Sequence, residues 1–281
     1  MKPVAFDYVA AHSVGEALEA LGRDEDAKPI AGGQSLVPAL NMRLVRPTIL
    51  VDLNRAGLDT IESNGVLRVG ATVRQAILEH DLRAHPLLRE ALPFVGHFVT
   101  RNRGTVGGSV AHADGAAEIP LCLSALGGTI VVEGPSGRRE IDPDGFFVTH
   151  FMTTLEQGEL LVETVWPQPE EFEGAAFEEF ALRAGDYALS MVAVVVKRVD
   201  DVAADVRIRI GAVTDRPTGF EDVEAAVEGT FVTPAIAKEA GALAAPAVDP
   251  AGSIHATPAY LRALTGTLVE RALIRAWERA G

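Results

Sequence analysis

Residues Lys28–Met42 read KPIAGGQSLVPALNM. A short apolar lead (Pro29, Ile30, Ala31) meets Gly32-Gly33, then the polar pair Gln34-Ser35, then Leu36-Val37-Pro38. That order predicts a strand end, a tight glycine turn and the first turn of a helix. Adjacent glycines permit φ > 0 and leave no Cβ over the turn. Successive N–H groups then point to one side with a helix N-terminus behind them, which suits a phosphate or diphosphate. An ordinary strand-to-helix turn has the same signature, because double glycines are common turn punctuation. The flanks decide between the two.

Outward from this turn, Val14, Ala17, Leu18 and Leu21 share one helical face behind Ser13 and Glu16, spaced as a capping box. Thr48–Leu53 is a compact apolar run, a strand buried on both sides. Residues 1–55 therefore read as a small α/β unit with two helices among its strands. A second unit, 56–170, opens with a hairpin around Asn64-Gly65 and a helix over Val73–Leu78 capped by Thr72. A further helix follows His85-Pro86. Phe98–Val110 then has neither a helical nor a strand period, and Ala111–Pro120 is small and polar ahead of an apolar helix from Leu121. A hairpin around Gly134–Gly137 and a strand over Glu159–Trp166 complete the unit. The third unit, 171–281, has strands over Ala175–Leu182, Leu189–Val199 and Val206–Val213. Helices follow at Phe220–Val227, Pro234–Ala244 and Pro258–Ala280, with Ala245–Pro250 as a loop. Strands followed by helices predict an α+β domain with an antiparallel sheet.

Composition narrows the chemistry. With 281 residues, 48% hydrophobic and 23% charged, the chain reads as a soluble globular protein. A net charge of −14 argues against nucleic acid or an anionic membrane as partner. Any anion it holds is bound by local backbone dipoles and a few cations. One cysteine, Cys122, cannot build a disulfide, an iron–sulfur site or a structural zinc site, and the histidines lack metal-ligand spacing. No apolar run reaches the ~18 residues of a membrane span, and the first residues lack a signal-peptide core, so a cytoplasmic protein is expected.

A second glycine-rich stretch carries the argument further. Arg101–Pro120 reads RNRGTVGGSVAHADGAAEIP, also leading into a helix, in a different unit. Two such stretches facing each other across a cleft would hold a dinucleotide diphosphate from both sides, with Asp or Ser near its hydroxyls. Neither G-x-G-x-x-G nor a Walker A pattern is present, so the usual NAD and ATP sites are excluded.

AGGQSLVPALNMRL with PTILVDLN, RNRGTVGGSVAHADGAAEIP, GELLVETVWP and RAGDYALSMVAV resemble, in order and spacing, four stretches of the FAD-binding medium subunits of molybdenum hydroxylases. These are the aerobic carbon monoxide dehydrogenase type, whose module xanthine dehydrogenases carry as an internal domain. The resemblance implies an α+β fold: two α/β subdomains of the PCMH-type FAD-binding fold clasping FAD, and a C-terminal domain with a three-stranded antiparallel sheet and helices. It implies a first diphosphate loop at Ala31, Gly32, Gly33, Gln34, Ser35 and Leu36, and a second at Thr105, Gly107, Gly108 and Ser109. It sets Asp114 and Glu118 toward cofactor hydroxyls, Leu161 toward the adenine half and Tyr187 beside the isoalloxazine ring. Some relatives carry lysine against the flavin where this chain has Glu179, eight positions before Tyr187. That carboxylate either faces away or tunes the flavin differently.

The implied role is electron transfer in a heteromeric oxidoreductase. [2Fe–2S] clusters would lie on a small partner and the molybdopterin cofactor on a large one, as a dimer of heterotrimers. No catalytic side chain for the primary substrate is expected here. The alternative is a stand-alone FAD-dependent oxidoreductase, which would need a base or nucleophile near Tyr187. Among the remaining residues, Arg101 and Arg103 could neutralise phosphate or face a partner. Asp186 and Arg183 could form a surface ion pair, His97 and His112 read as structural, and Trp166 and Cys122 read as packing.

Overall fold

The computed structural model describes residues 2–281. The first unit is a three-stranded parallel sheet of β1 (Asp7–Ala10), β2 (Lys28–Ile30) and β3 (Ile49–Asp52) in the order β1-β3-β2, with Val9 and Pro29 both opposite Val51. Helix α1 (Val14–Leu21) is capped by Ser13, whose Oγ accepts the Glu16 N–H, and buries Ala17, Ala20 and Leu21. Helix α2 (Leu36–Met42) follows the glycine turn and ends at Arg43 in the left-handed region (φ 59°).

The second unit is a five-stranded antiparallel sheet. Its strands are β4 (Ile61–Ser63), β5 (Val66–Gly70), β6 (Thr129–Gly134), β7 (Gly137–Ile141) and β10 (Leu160–Pro167), in the order β4-β5-β10-β6-β7. The tiny hairpin β8 (Phe147–Thr149) and β9 (Met152–Thr153) lies outside it. The central strand β10 is nearly all buried, which is why GELLVETVWP reads as an apolar run. Trp166 is buried and donates to Thr164 Oγ1 (2.9 Å), so it packs. Between β5 and β6 run α3 (Gln75–Glu79), α4 (Pro86–Ala91), α5 (Phe98–Arg101), α6 (Val106–His112) and α7 (Glu118–Ala125); α8 (Pro143–Phe146) precedes β8. All eight residues of α7 are buried, Cys122 among them.

The third unit pairs β11 (Glu173–Phe180), β12 (Ser190–Val199) and β13 (Val202–Gly211) antiparallel, followed by α9 (Glu221–Ala225), α10 (Pro234–Ala247) and α11 (Pro258–Arg279). Successive side chains of a strand point to opposite faces. Met191, Ala193 and Val195 accordingly join the core shared with the first two units, while Val192, Val194 and Val196 join the core under the last helices. The sheet is thus a wall between two cores. Burying each such side chain is worth about 1.5–3 kcal/mol, against ~0–1 kcal/mol for a surface ion pair, so apolar packing holds the units together. Polar ties then fix their register. His85 Nδ1 accepts the Leu87 N–H, so Nε2 carries the proton and donates to Glu173 Oε1 (2.9 Å), with both groups nearly fully buried. Glu90 on α4 meets Arg275 and Arg279 of α11, and Arg275 also meets Glu178.

The fold class matches the expectation, and the differences are local. Phe98–Val110 holds two short helices where no period was read. Helix α6 owes its start to the Thr105 cap and to docking on Ala71–Val73, neither of which leaves an apolar repeat. Helix α7 begins at Glu118 rather than Leu121, with Pro120 in its first turn where a missing N–H is harmless. Helix α3 starts at Gln75 from an Arg74 cap, and Thr72 is buried instead. Helix α10 runs on to Ala247, past Pro246. No helix among the described residues is long and apolar enough to cross a membrane.

Candidate functional site

The first loop leaves the end of β2 and turns into α2. Gly33 has φ +73°, the conformation the double glycine was read to permit. Among the described residues, the N–H groups of Gly32, Gly33, Gln34, Ser35 and Leu36 donate to no protein acceptor; the first paired donor of the helix is Val37, to Gly33 O (2.9 Å). Ser35 offers no side-chain cap. Five consecutive unpaired donors ahead of a helix are available to an anion. Gly32 serves a second purpose. A Cβ there would land on the Arg103 carbonyl oxygen and stand 2.9 Å from Gly104 Cα, so the two glycine-rich stretches touch backbone to backbone. Gly32, Gly33, Gln34, Val37, Pro38 and Arg103 line an open cleft of about 350 Å³.

The second stretch differs from its reading as a free donor nest. Val106 N–H bonds Val73 O, Gly107 N–H bonds Ala71 O, Gly108 N–H bonds Thr105 Oγ1 and Ser109 N–H bonds Thr105 O, all at 3.0–3.1 Å. These donors are spent on capping α6 and docking it to the segment after β5. The glycines here are packing glycines. A Cβ on Gly107 would stand 2.6 Å from Ala71, and one on Gly108 2.5 Å from Thr105 Oγ1 and 4.0 Å from the Ala31 Cβ. The stretch supplies shape and Arg103 to the cleft.

A polar strut fixes the distance between the two stretches. Asp52 accepts from Tyr8 Oη (2.5 Å) and from Asn54 Nδ2 (2.5 Å); Asn54 Nδ2 also donates to Ala31 O (3.0 Å). Arg74 then donates to Asn54 Oδ1 (2.6 Å) and to Arg103 O (2.5 Å). One guanidinium thus spans from the first loop's carrier to the second loop's backbone. Sequence reasoning named neither Asn54 nor Arg74. An arginine and an asparagine twenty positions apart carry no motif.

The remaining predicted residues divide. Asp114 follows Ala113, the left-handed cap of α6 (φ 50°), and closes an Asx turn through Oδ1 to the Ala116 N–H (3.0 Å). Glu118 opens α7, and burial pushes its carboxyl up to about 7, aided by the Asp114 charge. Glu178 faces Arg275 of α11, so Glu179 points to the opposite side of the sheet, toward α7. Its buried Oε2 has no partner, and burial followed by the charge of Glu118 lifts it to about 8. At neutral pH it stays mainly protonated, which answers how a carboxyl is tolerated there: it adds little negative charge. Tyr187 is 76% exposed on the loop after β11, so the raising of its phenol by partial cover, then by the Asp114 and Glu118 charges, is softened by solvent. Leu161 stands apart, its side chain buried in the core on β10 beside a bulge. Its neighbour Val162 reaches the second stretch through main chain only, Val162 O accepting from Ala71, which in turn accepts from Gly107.

Of the neighbours, His97 and His112 follow the structural reading, while Arg101 and the Arg183/Asp186 pair differ from theirs. Arg101 is engaged by Glu79 (2.7 Å) and by the carbonyls of Pro93, Val95 and Gly96. His97 lies where a Cβ on Gly185 would strike its ring, and His112 packs on Phe151 at 4.9 Å. Arg183 and Asp186 share a main-chain bond, Asp186 N–H to Arg183 O (3.1 Å), and no ion pair. A larger depression of about 530 Å³ near Glu79, His80 and Arg89 includes Glu90 and Arg279, which neutralise each other. A group with a diphosphate and a planar ring fits the first site better. The diphosphate matches the free N–H row and an unpaired arginine.

Comparison with known proteins agrees with that chemistry. Residues 4–169 match the family model described as FAD binding domain in molybdopterin dehydrogenase, and 175–276 match the CO dehydrogenase flavoprotein C-terminal domain. The chain is 41% identical to the 6-hydroxypseudooxynicotine dehydrogenase complex subunit alpha of Paenarthrobacter nicotinovorans, covering 100% of this chain and 97% of that one. It is 37% identical to the nicotine 6-hydroxylase medium subunit of the same organism, covering 99% and 100%. Its structure matches that of carbon monoxide dehydrogenase from Hydrogenophaga pseudoflava lacking the Mo-pyranopterin moiety of the molybdenum cofactor. The TM-score is 0.96 with 35% identity, covering 100% of both chains.

Proposed function

The chain belongs to the family of FAD-binding medium subunits of molybdopterin dehydrogenases, and on that premise we propose that it is the electron-transfer subunit of a heteromeric molybdenum hydroxylase. It takes electrons from [2Fe–2S] clusters on a small partner and delivers them to an external acceptor, while the primary substrate is oxidised on a large molybdopterin-bearing partner. A dimer of heterotrimers in the cytoplasm is the assembly this reading carries with it. The observation that supports it most is the row of free N–H groups from Gly32 to Leu36, packed on the second glycine-rich stretch.

Bound in this chain, FAD supplies the capacity to accept two electrons and return them singly. The chain's part is to position and insulate. Ala31, Gly32, Gly33, Gln34, Ser35 and Leu36 would receive the diphosphate on backbone dipoles. Thr105, Gly107, Gly108 and Ser109 would form the opposing wall. Asp114 and Glu118 would meet sugar or ribityl hydroxyls, the main chain at Leu161, whose side chain is in the core, would border the adenine half, and Tyr187 would cover the ring. The buried carboxyls of Glu118 and Glu179 hold protons near neutral pH on this side of the sheet.

The test is purification of the chain with its native neighbours. The complex should be yellow, absorb at about 450 nm and contain two further chains, and its flavin band should bleach on adding the organic donor only when those chains are present. Bleaching of the isolated chain's flavin by the organic donor, with turnover, would instead support a stand-alone oxidoreductase.

A further inference from the structure

A diphosphate brings two negative charges into a chain whose net charge is −14. The second stretch has already spent the N–H groups of Val106 to Ser109. The charge must be balanced elsewhere. We propose that the guanidinium of Arg103 is the counter-charge of the cofactor diphosphate; this rests on the FAD reading above.

Arg103 lines the same cleft as Gly32, Gly33 and Gln34. Among the described residues its side chain pairs with no carboxylate and donates to no acceptor, whereas Arg101, two positions earlier, is fully engaged. The main chain of Arg103 is held over the first loop by Arg74 and by contact with Gly32, so its side chain is carried to the free N–H row by fixed backbone. Arg74 lies close enough that the Arg103 charge, after burial, lowers its affinity for its proton. Neither arginine bonds a carboxylate: Arg74 is satisfied by an amide and a carbonyl, and Asp52 by Tyr8 and Asn54. Asp52 and Asp59 lie near enough to act on the Arg74 charge, whereas Arg103 has no carboxylate partner; beside five unpaired N–H groups it forms a site whose charge is completed by a ligand. The planar fork of arginine also suits two phosphate oxygens at once.

The experiment uses the full chain stripped of flavin, with FAD and riboflavin as probes and binding read by flavin fluorescence over a series of NaCl concentrations. Arg103→Gln should weaken FAD about 10- to 100-fold and flatten the salt dependence, leaving affinity for phosphate-free riboflavin unchanged. Arg103→Lys should recover most of the loss, and thermal melts of the apo-forms should coincide. Unchanged FAD affinity in Arg103→Gln would overturn the assignment, as would an equal loss for FAD and riboflavin. A wild-type chain that takes up neither flavin would overturn the functional reading itself, and this assignment with it.

Discussion

Replacing Gly32 with alanine isolates the contact between the two loops. The φ of Gly32 lies outside the left-handed region, so an added methyl brings no backbone strain. What it meets is backbone: the Arg103 carbonyl oxygen, with Gly104 Cα at 2.9 Å and the Arg103 carbonyl carbon at 3.0 Å. None of these is the free end of a flexible side chain, and Arg103 is tethered through Arg74 to Asn54. The loops must therefore separate. Overpacking of this kind costs about 1–3 kcal/mol. If that cost falls on the bound geometry, FAD affinity drops by about 5- to 150-fold, at 1.4 kcal/mol per factor of ten. Titration of apo-protein with FAD, followed by fluorescence quenching, reads the loss. Gly65→Ala is the control. Gly65 has φ +71° with nothing near a Cβ, so that variant pays only conformational strain of about 1–2 kcal/mol, with unchanged FAD affinity. If Gly32→Ala bound FAD within twofold of wild type, the idea that close loop packing sets the cofactor cleft would be refuted.

Further outcomes follow from other parts of the structure. Gly108→Asp should abolish stable FAD retention on gel filtration, because its Cβ meets Thr105 Oγ1 at 2.5 Å, disturbing the α6 cap, and adds a carboxylate to a wall of the proposed site. Burial pushes the carboxyls of Glu118 and Glu179 up to about 7 and about 8 in the fold, against an ordinary value near 4.5. The folded chain then binds more protons than the unfolded one, so their stabilisation is complete below pH 4.5 and is lost as pH rises through 7 to 8. Urea titrations of apo-protein should show that decline, and Glu179→Gln should raise stability at alkaline pH by about 1–3 kcal/mol and flatten the curve. A Glu179→Gln profile superimposable on wild type would contradict the burial argument. His85→Ala leaves the Glu173 carboxylate buried without its donor, and should cost about 2–4 kcal/mol in chemical denaturation.

Much of this was legible in the sequence where local rules suffice. Ser13 and Glu16 marked the start of α1, Asn64-Gly65 the hairpin, and the apolar run Leu189–Val199 a strand. The first glycine stretch was legible as a strand end, a tight turn and a helix start because its conformation is set by neighbours in sequence. The second was legible as glycine-rich but not in its use of those glycines. Its N–H groups are consumed by Val73 and Ala71, residues only the folded chain brings near. The strut through Asp52, Asn54 and Arg74 was invisible for the same reason, since polar residues far apart in sequence announce no bond. The protonation of Glu179 also lay beyond reading: position names the residue, but burial and the facing charge of Glu118 set its state.

The most direct test of the account is the flavin content of the purified chain, measured as released FAD per polypeptide alongside its visible spectrum. The account predicts a single FAD per chain, absorbing at about 450 nm and restored by incubating stripped protein with FAD. A colourless protein that cannot be reconstituted with FAD would contradict it.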